Sequence, residues 1–416
     1  MKDFMPQKNQ EKKLLENVLA VSAKARKEKE MNKNVINATS GSYYDDNGDI
    51  KVFDCVKETF EGGKYNSNLS YASVRGSNEF CENVTKWILG DDYKNEYDEY
   101  LFSLIATPGG TGAISLTVGT YLEQGEGIMF PSIMWPAYLQ IAKNQGVNSH
   151  IYELYNENDK LNTQSILEVG KTLQEKYDKV CVVINDPCHN PTGYSMDEED
   201  YNNLIDVLNE LSKKTKVVLL LDIAYLDYGK NTGKFTRDNF KLLKKLSDNV
   251  MVLFAFSASK TFGIYGLRLG ALLQITKSEK EHNLFIDATS YFARSIWSNA
   301  THFGMNIVED TLSDLEKKEK FVEELDDASS NLAKRAEVFV EGLNKYNVPF
   351  AAYKSGFFVL ILVDNKEFEQ EIEKQGAYGC HFANGYRIAL SSINKEEAFR
   401  LAEIVGEAYK KIKNKD

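Results

Sequence analysis

Residues 254–270 read FAFSASKTFGIYGLRLG. This stretch overlaps an apolar run, Val250–Phe256, whose length and content of Val, Leu and Phe predict a buried strand. The run leads into a Ser- and Gly-rich loop that carries Lys260, and Arg268 follows eight residues later. A lysine released from a buried strand into such a loop is poorly placed to be a solvated surface charge. A lone lysine there is more often structural than catalytic, so other stretches must decide its role.

Short apolar runs alternate with helical patterns from about Asp54 onward, which is typical of a parallel sheet with crossover helices. In open α/β sheets, ligands bind at the carboxyl edge of the strands, and several of these runs end in loops rich in Gly, Pro, Asn or Asp. Six runs are predicted to be strands: Leu101–Ala106, Gly127–Phe130, Val180–Ile184, Val217–Leu221, Val250–Phe256 and Ala271–Ile275.

The two ends of the chain carry further patterns. Residues from about Glu11 to Lys29 predict an amphipathic helix, or equally an arm lying on another subunit. A charged helical pattern from Thr311 to Leu343 predicts the element that leads out of the large domain. Beyond it we expect a smaller α+β domain, with strands near Gly356–Val363 and Tyr386–Leu390 and a terminal helix from Lys395.

These patterns predict three parts of the chain. They are an N-terminal arm with part of the small domain, a large domain and a C-terminal small domain, in residues 1–48, 49–312 and 313–416.

The composition argues against several classes of function. The 416 residues carry a net charge of −11, with 61 acidic against 50 basic residues, so a general nucleic-acid binder is not expected. No stretch approaches the roughly 18 apolar residues of a membrane span, and the start lacks the apolar core of a signal peptide. The five scattered cysteines predict reduced thiols in a cytoplasmic protein, and the dispersed histidines argue against a metal site.

An aldehyde-bearing pyridine phosphate held as an imine on Lys260 would need a phosphate cradle. The segment Pro108–Ala113 follows a predicted strand and opens an apolar helix. Its glycines permit close approach, and free N–H groups at a helix start attract a dianion, although a plain strand-to-helix turn is an equal alternative. Ser257 and Arg268, on the lysine loop, could close the same pocket.

The same cofactor would need a counter-charge and hydrogen-bond donors for its ring. Asp222 directly follows five apolar residues, so it is either a strand-end cap or a buried anion that a pyridinium would neutralise. Tyr225 could donate to the ring oxygen or pack in the core. Asn190, in the proline-braced segment NDPCHNPTG (residues 185–193), could offer its amide to the ring oxygen or to a substrate.

Together these stretches resemble the aspartate aminotransferase family, the class I transaminases among the fold-type I pyridoxal-phosphate enzymes. The resemblance covers nearly the whole chain and implies a mostly parallel seven-stranded sheet flanked by helices in the large domain, plus a smaller α+β domain. Its signatures stand in order: GSYYDDNG (41–48), YASVRGSNEF (71–80), GGTGA (109–113), Trp135, HNPTG (189–193), DIAY (222–225), SASK with GLRLG (257–270), RSIWSN (294–299) and Tyr386-Arg387.

The resemblance also implies roles for individual residues. Lys260 would be the imine lysine and proton shuttle, with Asp222 and Tyr225 completing the catalytic set. Cofactor contacts would come from Gly110, Thr111, Trp135, Asn190, Asp222, Tyr225, Ser257, Lys260 and Arg268, and from Tyr71 of a neighbouring subunit. Substrate contacts would come from Gly41, Asn190, Arg294 and Arg387, with Arg387 on the α-carboxylate. A site shared between subunits implies a homodimer.

Arg294 bears on the choice of substrate. In the dicarboxylate-specific branch an arginine at this spacing from a Ser-Asn pair, here Ser298-Asn299, binds the distal carboxylate across the dimer interface. We therefore expect ping-pong transamination of aspartate or glutamate with a 2-oxo acid. An interface salt bridge without substrate contact is the alternative for Arg294.

The sequence also departs from the family pattern. The departures are Ser295, Trp297, Ala300 and Thr301, and Gly109 in place of a serine. They leave an aromatic aminotransferase and a carbon–sulfur lyase on the same scaffold as alternatives. A regulatory protein would need a DNA-binding module, for which the roughly 40 residues before Gly41 leave little room.

Overall fold

A computed structural model describes residues 4–6, 9, 12, 17–382 and 385–414. Strands are numbered in chain order: β1 (Ile36–Asn37), β2 (Leu101–Thr107), β3 (Gly127–Pro131), β4 (Asn148–Tyr152), β5 (Lys179–Asn185), β6 (Lys216–Asp222), β7 (Val250–Ser257), β8 (Gly270–Thr276), β9 (Phe358–Ile361), β10 (Ala377–Tyr378), β11 (Cys380–Phe382) and β12 (Gly385–Ala389).

The helices of the described chain are also numbered in order. They are α1 (Asn17–Met31), α2 (Asp54–Glu61), α3 (Tyr65–Leu69), α4 (Asn78–Leu89), α5 (Tyr93–Glu96), α6 (Gly109–Tyr121), α7 (Ala137–Gln145), α8 (Thr163–Gln174), α9 (Glu198–Ser212), α10 (Lys234–Phe240), α11 (Ala258–Thr261), α12 (Glu279–Ile296), α13 (His302–Leu312), α14 (Leu315–Lys345), α15 (Lys366–Lys374) and α16 (Lys395–Lys413). None of these helices is long and apolar enough to cross a membrane.

A seven-stranded sheet forms the centre of the fold, in the order β2-β8-β7-β6-β5-β3-β4. Only β8 runs against its neighbours, so the carboxyl ends of β2, β3, β5, β6 and β7 meet at one edge. Helices cover both faces, because successive strand residues alternate between two apolar cores. In β5, for example, Val180, Val182 and Ile184 enter one core, while Cys181 and Val183 enter the other.

The six predicted strands are confirmed, each at most one residue longer at either end than predicted. Apolar runs predict them well because side chains on both faces of these strands are buried. The seventh strand, β4, was missed because it lies at the sheet edge and buries only Tyr152 fully. The predicted α/β class with a mostly parallel seven-stranded sheet is therefore confirmed.

The predicted helix from Thr311 to Leu343 is wrong at its start. The chain forms two helices there, because Ser313 and Asp314 interrupt the pattern and the Asp314 side chain caps α14 by accepting the N–H of Lys317. Helix α14 then runs from Leu315 to Lys345. At the N-terminus, α1 spans Asn17–Met31, and residues 11 and 13–16 of the helix predicted from Glu11 lie outside the described chain.

A second, three-stranded antiparallel sheet has the order β11-β12-β9, and β1 pairs with β10 in a small parallel sheet. The predicted strands near 356–363 and 386–390 correspond to β9 and β12, and the terminal helix begins at Lys395 as predicted. The domain limits at 48 and 312 remain predictions.

Candidate active site

Strand β7 delivers Lys260 to the carboxyl edge of the large sheet. The strand ends at Ser257, and the single turn of α11 that follows carries the lysine. Two neighbouring residues hold this turn: the Tyr228 hydroxyl donates to the Lys260 carbonyl oxygen at 3.4 Å, and the Thr261 hydroxyl donates to Asp227 at 2.6 Å. Asp227 is buried and paired with Arg237, so the turn rests on a charged network below the site.

The predicted phosphate cradle lies beside this lysine, at the start of α6. Pro108 precedes the helix and supplies no side-chain cap, so the first N–H groups of α6 stay available to an anion. Gly109 has a φ of +73°, and a Cβ there would lie 2.5 Å from Nη2 of Arg268. A side chain at this position would also be strained, because L residues rarely adopt this backbone conformation. Arg268 closes the cradle, with Nη1 donating to Ser259 at 3.1 Å.

Asp222 ends β6 and is only 5% exposed. Its Oδ2 accepts the Tyr138 hydroxyl at 2.5 Å, and its Oδ1 accepts the Ala224 N–H at 3.1 Å. It makes no ion pair with any described residue. Burial raises the pKa of this carboxyl, and the hydrogen bonds and the charge of Lys260 offset only part of that effect.

Arg387, on β12, reaches the same region from the second sheet. Its Nη1 donates to Asn190 Oδ1 at 3.0 Å and its Nη2 to the Thr39 carbonyl at 3.3 Å. The guanidinium lies between the rings of Phe358 and Phe382, with centroids 4.3 and 4.8 Å away. Its Nε is buried without a partner, and no described carboxylate pairs with it. A buried cation with unused donors is suited to an incoming carboxylate.

Gly41 packs against Phe358, and the ring of Phe358 contacts the Arg387 guanidinium. A Cβ at Gly41 would meet the tip of the Phe358 ring at 3.3 Å, so the absence of a side chain lets the ring lie close. The glycine thus supports the packing beneath Arg387.

One cavity contains most of the predicted site. Its lining includes nine predicted cofactor contacts: Gly110, Thr111, Trp135, Asn190, Asp222, Tyr225, Ser257, Lys260 and Arg268. Ile114, Asn185 and Ala224 complete it.

Tyr71 and Arg294 are not brought to this cavity within one chain. Tyr71 is 92% exposed. Arg294 lies near the exposed end of α12 and donates to the Ser298 hydroxyl. Neither is among the residues that line the cavity, and the predicted substrate contacts Gly41 and Arg387 are not among them either.

The electrostatics of the cavity disfavour the charged form of Lys260. The pKa of Lys260 is lowered to about 8, first because burial disfavours the ammonium and then because Arg268 repels it, while Asp222 acts in the opposite direction. Lys260 Nζ makes no hydrogen bond or ion pair with a described residue and lies 5.6 Å from the Tyr225 ring centroid. Burial raises the pKa of Tyr225, so its hydroxyl keeps its proton and remains a donor.

Two residues of the site were missed from the sequence. Asn185 lines the cavity, and its side chain donates to the Asp222 carbonyl at 2.8 Å. Tyr138 contacts Asp222 from α7. The available signal for Tyr138 was its position three residues after Trp135, which places both on one side of a helical turn, but the chain contains 23 tyrosines.

Comparison with known proteins agrees with this geometry. The family model for aminotransferase class I and II matches residues 33–405. The chain is 26% identical to the mitochondrial aspartate aminotransferase of Saccharomyces cerevisiae, across 93% of this chain and 91% of that protein. It is 27% identical to an aromatic-amino-acid aminotransferase of Pseudomonas aeruginosa, across 57% of each. A solved aminotransferase from Anaerococcus prevotii superposes with a TM-score of 0.92, at 28% identity, covering 98% and 99% of the two chains.

Proposed function

The chain belongs to the aminotransferase class I and II family and is an aminotransferase, and on that basis we propose that it binds pyridoxal 5′-phosphate on Lys260. With this cofactor it would exchange an amino group between an L-amino acid and a 2-oxo acid by a ping-pong mechanism. The family is pyridoxal-phosphate-dependent. The observation that carries the proposal is the single cavity in which Lys260 meets Asp222 and the cradle at Gly110.

The residues present fit this cofactor at three points. The uncapped start of α6 and Arg268 offer N–H donors and positive charge for a phosphate. Asp222 is a buried carboxylate without a cationic partner among the described residues, as a protonated ring nitrogen requires. Asn190 and Tyr225 line the cavity and can donate to a ring oxygen. The amide N–H groups of Asn190 are available for this because Arg387 donates to its amide oxygen.

Bound pyridoxal phosphate supplies an aldehyde that accepts the amino group and a ring that withdraws electrons from the substrate Cα. The chain's own residues supply binding and proton transfer. Arg387 would hold the α-carboxylate, and Trp135, which lines the cavity, would form a wall for the cofactor ring. With a pKa of about 8 in the cofactor-free chain, roughly a tenth of Lys260 is neutral at pH 7. During the reaction the Lys260 amine would take a proton from the substrate Cα and deliver it to the aldehyde carbon of the cofactor.

The test is covalent capture of the cofactor. The protein is incubated with pyridoxal phosphate, reduced with borohydride and mapped by peptide mass spectrometry. Before reduction we expect visible absorbance, and after reduction a label on Lys260. Both should be lost in Lys260→Ala and kept in Lys277→Ala, which removes an exposed lysine paired with Glu99. Visible absorbance that persists in Lys260→Ala, together with cofactor that borohydride still fixes to the protein, would contradict the assignment.

For the substrate, we propose aspartate and glutamate, with Arg294 of a neighbouring subunit on the distal carboxylate. Its exposed position near the end of α12 leaves the side chain free to reach across an interface. An aromatic-amino-acid aminotransferase is the second candidate, because such enzymes are also among the relatives.

A substrate survey decides between these candidates. Aspartate, glutamate, tyrosine and phenylalanine are assayed with 2-oxoglutarate in wild type, Arg294→Ala and Arg400→Ala, a surface-arginine control. We expect the first variant alone to lose dicarboxylate activity selectively, and an equal loss for aromatic substrates would reject the role of Arg294. A carbon–sulfur lyase would instead fail to accumulate pyridoxamine phosphate when given an amino acid without an oxo acid.

We also propose a homodimer in the cytoplasm. Tyr71 is exposed together with other large apolar side chains, namely Leu69, Tyr291 and Ile296, which are 81%, 80% and 62% exposed. A second copy of the chain would cover such residues and bring Tyr71 to the cofactor phosphate.

A further inference from the structure

We propose that Tyr138 is a positioning residue that orients the Asp222 carboxylate toward the ring nitrogen of the cofactor and keeps it ionised. The proposal rests on the proposed function and deepens it. It rests on the 2.5 Å hydrogen bond from the Tyr138 hydroxyl to Asp222 Oδ2, between residues that are 1% and 5% exposed.

The Tyr138 ring is fixed on two sides. It stacks on Phe130 with centroids 5.4 Å apart and planes inclined by 6°, and it meets Trp135 edge-on at 5.6 Å and 83°. A side chain held in this way presents its hydroxyl in one direction, so little entropy is lost when the hydrogen bond forms. Trp135 also lines the cavity, so Tyr138 contacts both that tryptophan and Asp222.

The hydrogen bond has a defined donor and acceptor. Burial raises the pKa of Tyr138 well above the ordinary value, so the hydroxyl keeps its proton and donates it. The other Asp222 oxygen accepts the Ala224 N–H, and both bonds favour the carboxylate over the neutral acid. Because tyrosine is uncharged, it stabilises the anion without neutralising it, which leaves the negative charge available to a pyridinium.

The test uses the affinity of the cofactor-free full chain for two probes. One is pyridoxal phosphate, and the other is its analogue with carbon in place of the ring nitrogen. Removing a hydrogen bond to a charged group should weaken the first probe by roughly ten- to a hundredfold in Tyr138→Phe. The affinity for the analogue should change less than about threefold, because it offers Asp222 no nitrogen to pair with.

Tyr201→Phe is the matched control. Its hydroxyl donates at 2.7 Å to Asp186, another buried carboxylate, but Tyr201 does not line the cavity. We expect this variant to bind both probes as wild type does. An equal loss for both probes in Tyr138→Phe, or no loss for either, would overturn the proposal.

A double-mutant cycle adds a second criterion. In an Asp222→Asn background, Tyr138→Phe should have almost no further effect on pyridoxal phosphate affinity, because the charge it stabilises is gone. Full additivity would contradict the proposal. If Tyr138→Phe does not fold, Tyr138→His takes its place, since an imidazole N–H can donate from a similar position. A folded Tyr138→His that no longer distinguishes the two probes would also overturn it.

The wild-type result separates this proposal from the proposed function. If wild type binds neither probe, the proposed function fails. If wild type binds pyridoxal phosphate strongly and Tyr138→Phe does so equally, only the role of Tyr138 is rejected.

Discussion

Replacing Arg387, which donates to the cavity residue Asn190, tests the proposed site of the substrate α-carboxylate. This guanidinium is buried between Phe358 and Phe382, and it donates to the neutral oxygens of Asn190 and Thr39. Its Nε has no partner. We expect the α-carboxylate of the amino acid to supply the missing anion, so Arg387→Leu should remove that interaction for every substrate.

The magnitude follows from the number of bonds lost. A bidentate pair comprises two hydrogen bonds to a charged group, each worth about 1.5–3 kcal/mol. Their loss should raise the activation free energy by about 3–6 kcal/mol and so lower kcat/KM roughly 10²- to 10⁴-fold. Arg387→Lys retains the charge but not the fork, so its loss should be smaller, on the order of 10- to 100-fold.

The assay compares two amines that differ only in the α-carboxylate, L-glutamate and 4-aminobutyrate. Single-turnover conversion of the cofactor is followed by absorbance, with circular dichroism as the folding control. Wild type should prefer glutamate, and the preference should fall in Arg387→Leu by the factor calculated above. If the ratio of the two rates stays within about threefold of wild type, the assignment of Arg387 to the carboxylate is refuted.

Three further predictions concern proton transfer, assembly and stability. The rate at which Lys260 captures pyridoxal phosphate should rise about tenfold per pH unit and level off above pH 8, because burial lowers its pKa to about 8; a rise continuing to pH 10 would contradict this. Mixing inactive Lys260→Ala with Tyr71→Ala should restore activity through hybrid dimers holding one intact site; no recovery after confirmed subunit exchange would reject site sharing. In urea unfolding, Arg237→Met should cost about 3–5 kcal/mol by leaving Asp227 buried and without its ion pair, whereas Glu99→Gln, at an exposed pair, should leave the urea midpoint unchanged.

Six of the seven strands of the large sheet, and most residues of the cavity, could be predicted from the sequence alone. Strands such as β5 and β6 are buried on both faces, so an unbroken apolar run is a local and reliable signal. The polar residue that ends such a strand, as Asp222 ends β6, must then lie at the carboxyl edge. Gly109 and Lys260 could be assigned to the same edge for the same reason.

Which side chains meet depends on the three-dimensional arrangement of the strands and helices. Tyr138 lies 84 residues from Asp222 and on the helix after β3, two strands away from β6, so no local pattern joins the pair. Asn190, in the loop after β5 of the large sheet, and Arg387, on β12 of the second sheet, are 197 residues apart. Periodicity reports the solvent exposure of each residue along its own element, whereas these contacts depend on the order of strands in the sheet and on the direction of each side chain.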